Sequence, residues 1–225
     1  ILAPATLTQD FRKIRLRFLA GDVAAAARDT LVDIGIDPAG GTSYTTVIQE
    51  LLASCAAPQA IGGIWYNFPL RIPSGASIAA RASVNNGTVG TILAYIEGWG
   101  LPRDPRSCKS CAYVRTFGTV LASSKGTTVT AGTSGSKGSY TQIGSAVASG
   151  DVLWWWQMGH GINDATMQAA LNKLDLAVGD ASNKRIVIAD QHFQTSSSEQ
   201  ISCTPAFEGC EYHVPTGTLV YGRMS

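Results

Sequence analysis

Apolar and polar side chains alternate with a two-residue period near the start of the chain. Across Phe11-Arg12-Lys13-Ile14-Arg15-Leu16-Arg17-Phe18, Ile14, Leu16 and Phe18 fall on one side and Arg15 and Arg17 on the other. That is the pattern of a half-buried strand. Short β-branched or alternating runs predict further strands near 30–36, 44–52, 63–71, 76–82 and 88–97. A second series is predicted near 114–121, 127–131, 139–143, 151–158, 173–178, 185–190, 199–203, 210–214 and 218–223. Helical spacing is scarce, about one turn at 24–28 and another at 167–172. Turn signals punctuate the strands. Pro73-Ser74-Gly75 and Pro215-Thr216-Gly217 combine a fixed φ with a glycine, and Asn86-Gly87 predicts a tight hairpin.

The two Pro-x-Gly turns belong to a repeat. Pro73 and Pro215, Gly75 and Gly217, and Arg81 and Arg223 are each 142 positions apart (215 − 73, 217 − 75, 223 − 81). Leu31-Val32-Asp33-Ile34 matches Lys173-Leu174-Asp175-Leu176 at the same offset, and Asp10-Phe11 meets Asp151-Val152 at 141. Four stretches in one order at nearly one offset indicate an internal duplication. The expected architecture is all-β, with antiparallel β-sandwich domains at 1–100 and 112–225. A linker at 101–111 carries Pro102, Pro105, Cys108 and Cys111. The second copy has residues 113–142 ahead of the shared part, with nothing comparable before Ile1. Two readings stand: a processed or partial chain, or first strands supplied by a neighbouring chain.

Composition narrows the function. The 225 residues are 45% hydrophobic and 15% charged, with a formal net charge of +1. There is enough apolar material for two cores, but no basic field of the kind that grips nucleic acid through phosphates. The one dense basic cluster, Arg12, Lys13, Arg15 and Arg17, reads as the solvated face of a strand. No apolar run reaches the roughly 18 residues that span a bilayer, so no membrane partner is expected.

Candidate chemistry is sparse. The three histidines, His160, His192 and His213, occupy positions that the copies do not share. No nucleophile elbow appears, and Thr133-Ser134-Gly135-Ser136-Lys137-Gly138 lacks phosphate-loop spacing and reads as a flexible linker. Asp33 and Asp175, the only acids common to both copies, are expected to cap or fix turns. The Cys pairs do not match a zinc pattern. Candidate disulfides are Cys108–Cys111 and Cys203–Cys210, leaving Cys55 buried or paired between chains. No catalytic residue, cofactor or metal is expected. Trp154, Trp155 and Trp156 put two indoles on one face of a strand. With Trp65, Tyr66 and Trp99 they are the candidates for a protein interface or a sugar-stacking platform.

The segment Tyr66-Asn67-Phe68-Pro69-Leu70-Arg71-Ile72-Pro73-Ser74-Gly75, continuing through Ile78-Ala79-Ala80-Arg81, resembles a recurring Ile-Pro-x-Gly…Ala-x-Arg segment of tailed-bacteriophage proteins. The likeness continues through Gly126-Thr127-Thr128-Val129-Thr130 and Lys137-Gly138-Ser139-Tyr140-Thr141-Gln142-Ile143, and covers about half the chain. It implies a virion structural protein with tandem jelly-roll-like domains: non-enzymatic, a capsid decoration or cement protein or a neck or tail subunit. Its partners would be copies of itself and other virion proteins in an extracellular particle assembled in the host cytoplasm. The triple Trp and the Cys-containing linker lie outside the pattern. The rival expectations are a receptor- or glycan-binding module using exposed Trp, with a host glycan as partner, and a sandwich hydrolase needing His or paired acids in a cleft.

Overall fold

The computed structural model describes residues 6–20, 30–54, 64–84, 92–99, 111–119, 127–133, 135–149, 159–160, 170–195, 204–205 and 214–225. Among these every regular element is a β-strand, and the sheets are antiparallel. The chain divides into two compact units. One is Ile1–Thr116 with Leu121–Ser124; the other is Phe117–Val120 with Lys125–Ser225.

In the first unit, β1 (Lys13–Ala20) lies between β4 (Ile64–Phe68) and β6 (Ile92–Trp99). Its alternation does what the sequence demands. Ile14, Leu16 and Phe18 are buried at 0, 0 and 1% exposure. Arg15 and Arg17 stay half-exposed on the other face and reach Glu97 at 3.4 and 3.9 Å. Arg15 also donates to Asn67 Oδ1 at 3.0 Å. The second sheet runs β3 (Thr45–Ser54), β2 (Thr30–Asp37), β5 (Ser77–Val84), with β2 central. β2 is buried along nearly its whole length, as a strand paired on both edges and covered on both faces must be. The unit is sandwich-like. Residues 112–116, expected at the start of the second domain, are held by the first unit. Val114 bridges Ile48 and donates its amide to Val47, while Cys111 bridges Leu70.

In the second unit, β9 (Ala170–Gly179) lies between β10 (Lys184–Thr195) and β12 (Leu219–Met224). The short β7 (Thr141–Gln142) adds to the far edge of β12. A separate two-residue ladder joins β8 (Gly159–His160) to β11 (Thr204–Pro205). The core gathers Val147, Leu174, Leu176, Val178, Ile188, Val214 and Val220.

One local expectation changes. Residues 170–172 are strand, not helical turn, because they pair with Phe193–Thr195 of β10. Asn86-Gly87, expected to form a tight hairpin, lies outside the described residues; the strands on either side, β5 and β6, pair with β2 and β1, in different sheets. Residues 24–28 and the linker 101–110 lie outside the described residues.

Both Pro-x-Gly turns form. Ala76 donates to the Pro73 carbonyl and Thr218 to that of Pro215, each at 3.3 Å. Gly75 and Gly217 sit at φ of 84° and 81°, the positive φ that the third position of a type II turn requires. A Cβ on either glycine meets nothing within 4 Å, so only backbone strain opposes a side chain there. Gly75→Ala and Gly217→Ala are each expected to cost about 1–2 kcal/mol. The two penalties should agree in denaturant unfolding; a loss at one turn alone would show that the turns are not equivalent.

Candidate functional site: the aspartate–arginine clamps

The acids and arginines shared by the two halves meet in space. In the first unit Asp33 on β2 stands opposite Arg81 on β5, and Arg81 Nε donates to Asp33 Oδ2 at 2.7 Å. In the second, Asp175 on β9 stands opposite Arg223 on β12, and Arg223 Nε donates to Asp175 Oδ2 at 2.8 Å. The whole ladder keeps this relation. Asp37 opposite Ser77 becomes Gly179 opposite Leu219, and Val32 opposite Ala82 becomes Leu174 opposite Met224, each residue moved by 142.

The other carboxylate oxygen is spent on the third strand. Asp33 Oδ1 accepts the Glu50 amide at 2.7 Å, and Asp175 Oδ1 accepts the Asp190 amide at 2.8 Å. Both donors lie in a bulge, where the register steps from Leu51 to Ile48 in β3 and from Gln191 to Ile188 in β10. Glu50 and Asp190 have φ of 52° and 50°, a left-handed conformation that costs a non-glycine residue about 1 kcal/mol or more. The carboxylate holds the strained residue by its N–H. Each aspartate thus ties three strands together, where the sequence suggested only a cap or turn-fixing group.

The second clamp is more elaborate. Lys137 Nζ lies 2.5 Å from Asp175 Oδ1 and 2.7 Å from Asp190 Oδ1. Tyr140 packs its ring 4.5 Å from the Arg223 guanidinium carbon. Gly132 and Gly138 both donate to the Met224 carbonyl, which anchors this segment along β12. The stretch expected to be a flexible linker therefore carries the lysine of the clamp. Gly138 is required there, since a Cβ would come within 2.4 Å of the Thr130 carbonyl oxygen.

Asp175 is fully buried. Burial alone pushes its carboxyl up, but the Asp190 amide, Lys137 and Arg223 outweigh it and hold the group below the usual carboxylate range. Lys137 is pushed up, chiefly by its hydrogen bond to Asp175 and then by that to Asp190. At neutral pH both are charged and engaged. This arrangement holds strands; its carboxylate is neither reachable nor poised to trade protons.

The other candidates fall as follows. Tyr66, a candidate surface contact, is instead a core residue at 5% exposure. It stands opposite Leu16 on the inward face of the sheet, stacked on Phe68 at 6.1 Å and edge-on to Phe18 at 6.5 Å. Trp65 and Trp99 have their backbones in β4 and β6, opposite Arg17 and Lys13. Trp154, Trp155 and Trp156 lie outside the described residues, as do Cys55, Cys108, Cys203, Cys210 and His213. Cys111 is a free thiol. The Cys111 sulfur is turned to the Pro69 carbonyl at 3.3 Å, and burial pushes its pKa up to about 11; its candidate disulfide partner Cys108 is among the residues not described. His192 is exposed, on a strand position opposite Lys173. Among the described residues no three His, Cys, Asp or Glu side chains gather as a metal site, and no helix is long and apolar enough to cross a membrane. An open hollow of about 530 Å³ beside the β9–β10 turn, lined by Gly179, Asn183, Lys184 and Pro215 among others, gathers no acid or histidine.

Compared with known proteins, the chain matches no family model, no curated protein and no solved structure.

Proposed function

We propose that the chain is a non-catalytic structural protein of a tailed-bacteriophage particle, most simply a capsid decoration or cement subunit. Duplication of one jelly-roll-like β-sandwich unit would have produced its two halves. The observation that carries this reading is the repeated clamp. Among the described residues, the features the halves share (the Pro-x-Gly turn, the Asp–Arg pair and the bulge with its left-handed residue) hold strands in register. Further support comes from the backbone beside each turn. Leu7 exchanges bonds with Gly75 and Ala76 as Val147 does with Gly217 and Thr218. Repeated residues that hold strands together suit a protein that builds and adheres. The resemblance to Ile-Pro-x-Gly…Ala-x-Arg segments is the ground for choosing this kind of assembly.

The glycan-binding rival loses one of its rings, because Tyr66 is consumed by the core. The test is mass spectrometry of purified particles of the phage whose genome encodes the chain. Its peptides are expected at a fixed ratio to the major capsid protein through repeated gradient purification. Their loss on purification would refute a virion role.

A further inference from the structure

Residues 135–140 are fastened to the second unit differently from the residues on either side of them. Val129 and Ile143 pack against the core, and Val147 is part of it. Gly222 lets the first two meet over β12: a Cβ there would stand 2.9 Å from Ile143 Cδ1 and 3.3 Å from Val129 Cγ2. Ile143 and Val147 also donate their amides to the Val220 and Thr218 carbonyls, at 2.7 and 3.0 Å. Between these anchors Gly135, Ser136 and Ser139 are exposed, and Lys137, Gly138 and Tyr140 are half-buried. What holds this stretch is polar. Gly138 donates to the Met224 carbonyl at 2.8 Å, and Lys137 Nζ spans Asp175 and Asp190. The Tyr140 ring lies beside Arg223 and 5.9 Å from Lys184 Nζ. Strand pairing resumes at Thr141, opposite Gly222.

We infer that residues 135–140 form a flap that opens by itself while the rest of the second unit stays folded, and that Lys137 is its latch. Local opening is easiest where few apolar side chains are buried and backbone bonds lie near solvent. That describes the flap and not its anchors. Gly135, at φ of 78° with no atom within 4 Å of its Cβ position, forms the turn at one end. The ammonium of Lys137 bridges one fully buried and one half-exposed carboxylate, and charge-assisted bonds of this kind are the strongest ties the flap has. Opening lifts Lys137 off both acids and frees one bond to the Met224 carbonyl. The Asp175 carboxylate, sealed in the closed form, then meets solvent with Arg223 still on its Oδ2. The flap therefore controls when an outside cation can reach the clamp.

The inference rests on contacts inside the second unit and not on the virion reading, so failure to find the chain in particles would leave it standing. The test is native-state hydrogen exchange on the full chain, read amide by amide by NMR in low, rising urea. The Gly138 amide is expected to exchange at a rate that urea leaves unchanged, the mark of an opening that exposes little surface. Ile143 and Val147 should accelerate together, with the steep urea slope of unfolding. Lys137→Met should speed Gly138 exchange about tenfold, the scale of a lost bond to a charged group, and Lys137→Arg should restore most of the protection. Val178→Ala weakens the core away from the flap, so it should speed Ile143 and Val147 and leave Gly138 within about twofold. The urea slope and the Val178→Ala comparison keep the test decisive even where Lys137→Met does not fold. A Gly138 slope as steep as that of Val147, or acceleration of Gly138 by Val178→Ala to the same extent as Val147, would show that no separate flap exists. Unchanged Gly138 exchange in a folded Lys137→Met would overturn the latch.

Discussion

Asp175→Asn is expected to destabilise the second unit by about 2–4 kcal/mol. The change is nearly isosteric, so no cavity accompanies it; what is lost is charge. Arg223 and Lys137, 28 and 23% exposed, are left beside a neutral amide in a partly desolvated site. Breaking a buried pair by neutralising one partner costs about 3–5 kcal/mol when the pair is fully enclosed, and the partial exposure of both cations lowers the figure. The variant also carries a pH signature. The Asp175 carboxyl is held below its usual range in the folded chain, so its stabilisation is complete above the ordinary carboxylate pKa. It is lost as the pH falls through the lower folded value. Lys137 has the opposite sign: its pKa is raised, so its contribution is present below the ordinary lysine range and is lost as the pH rises through the raised value. Asp175→Asn should therefore flatten the acid limb of the stability curve as well as lower the plateau. Urea unfolding from pH 3 to 8 reads both; an unchanged acid slope would show that the carboxylate is not engaged.

Phe18→Ala is expected to cost about 3–5 kcal/mol in the first unit. Phe18 is 1% exposed, on the strand that pairs with neighbours on both edges. Its ring is edge-on to Tyr66, which in turn stacks on Phe68. Truncation removes transfer energy, one aromatic contact and the support of a second. Hydrogen exchange should show the β1 and β4 amides losing protection. A loss below about 1 kcal/mol would mean that the ring lies outside the packed core.

Much of the fold is legible in the sequence, though unevenly. The alternation at Ile14, Leu16 and Phe18 makes the inward face of β1 plain, because a two-residue period fits a strand and not a helix. The shared Pro-x-Gly turns announce their positive φ. Asp33, Asp175, Arg81 and Arg223 are all visible as repeated residues, yet their pairing is not. Each acid lies 48 positions from its arginine, and only strand register joins them. Glu50 and Asp190 stay hidden because they match at an offset of 140, two residues short of the rest, and strain at a bulge leaves no composition signature. Lys137 is hidden for a related reason. Its Ser- and Gly-rich neighbours look like a flexible linker, but those glycines are what let the segment close tightly against Met224. The strands on either side of Asn86-Gly87 find their partners in different sheets, which no local turn signal announces.

The most direct measurement is a pair of double-mutant cycles, Asp33→Asn with Arg81→Met and Asp175→Asn with Arg223→Met, read as unfolding free energies. One clamp used twice requires favourable coupling in both units: roughly 0.5–1 kcal/mol for the more exposed first pair and about 1.5 kcal/mol or more for the buried second. Strictly additive effects in either unit would mean that the matched residues merely stand opposite each other.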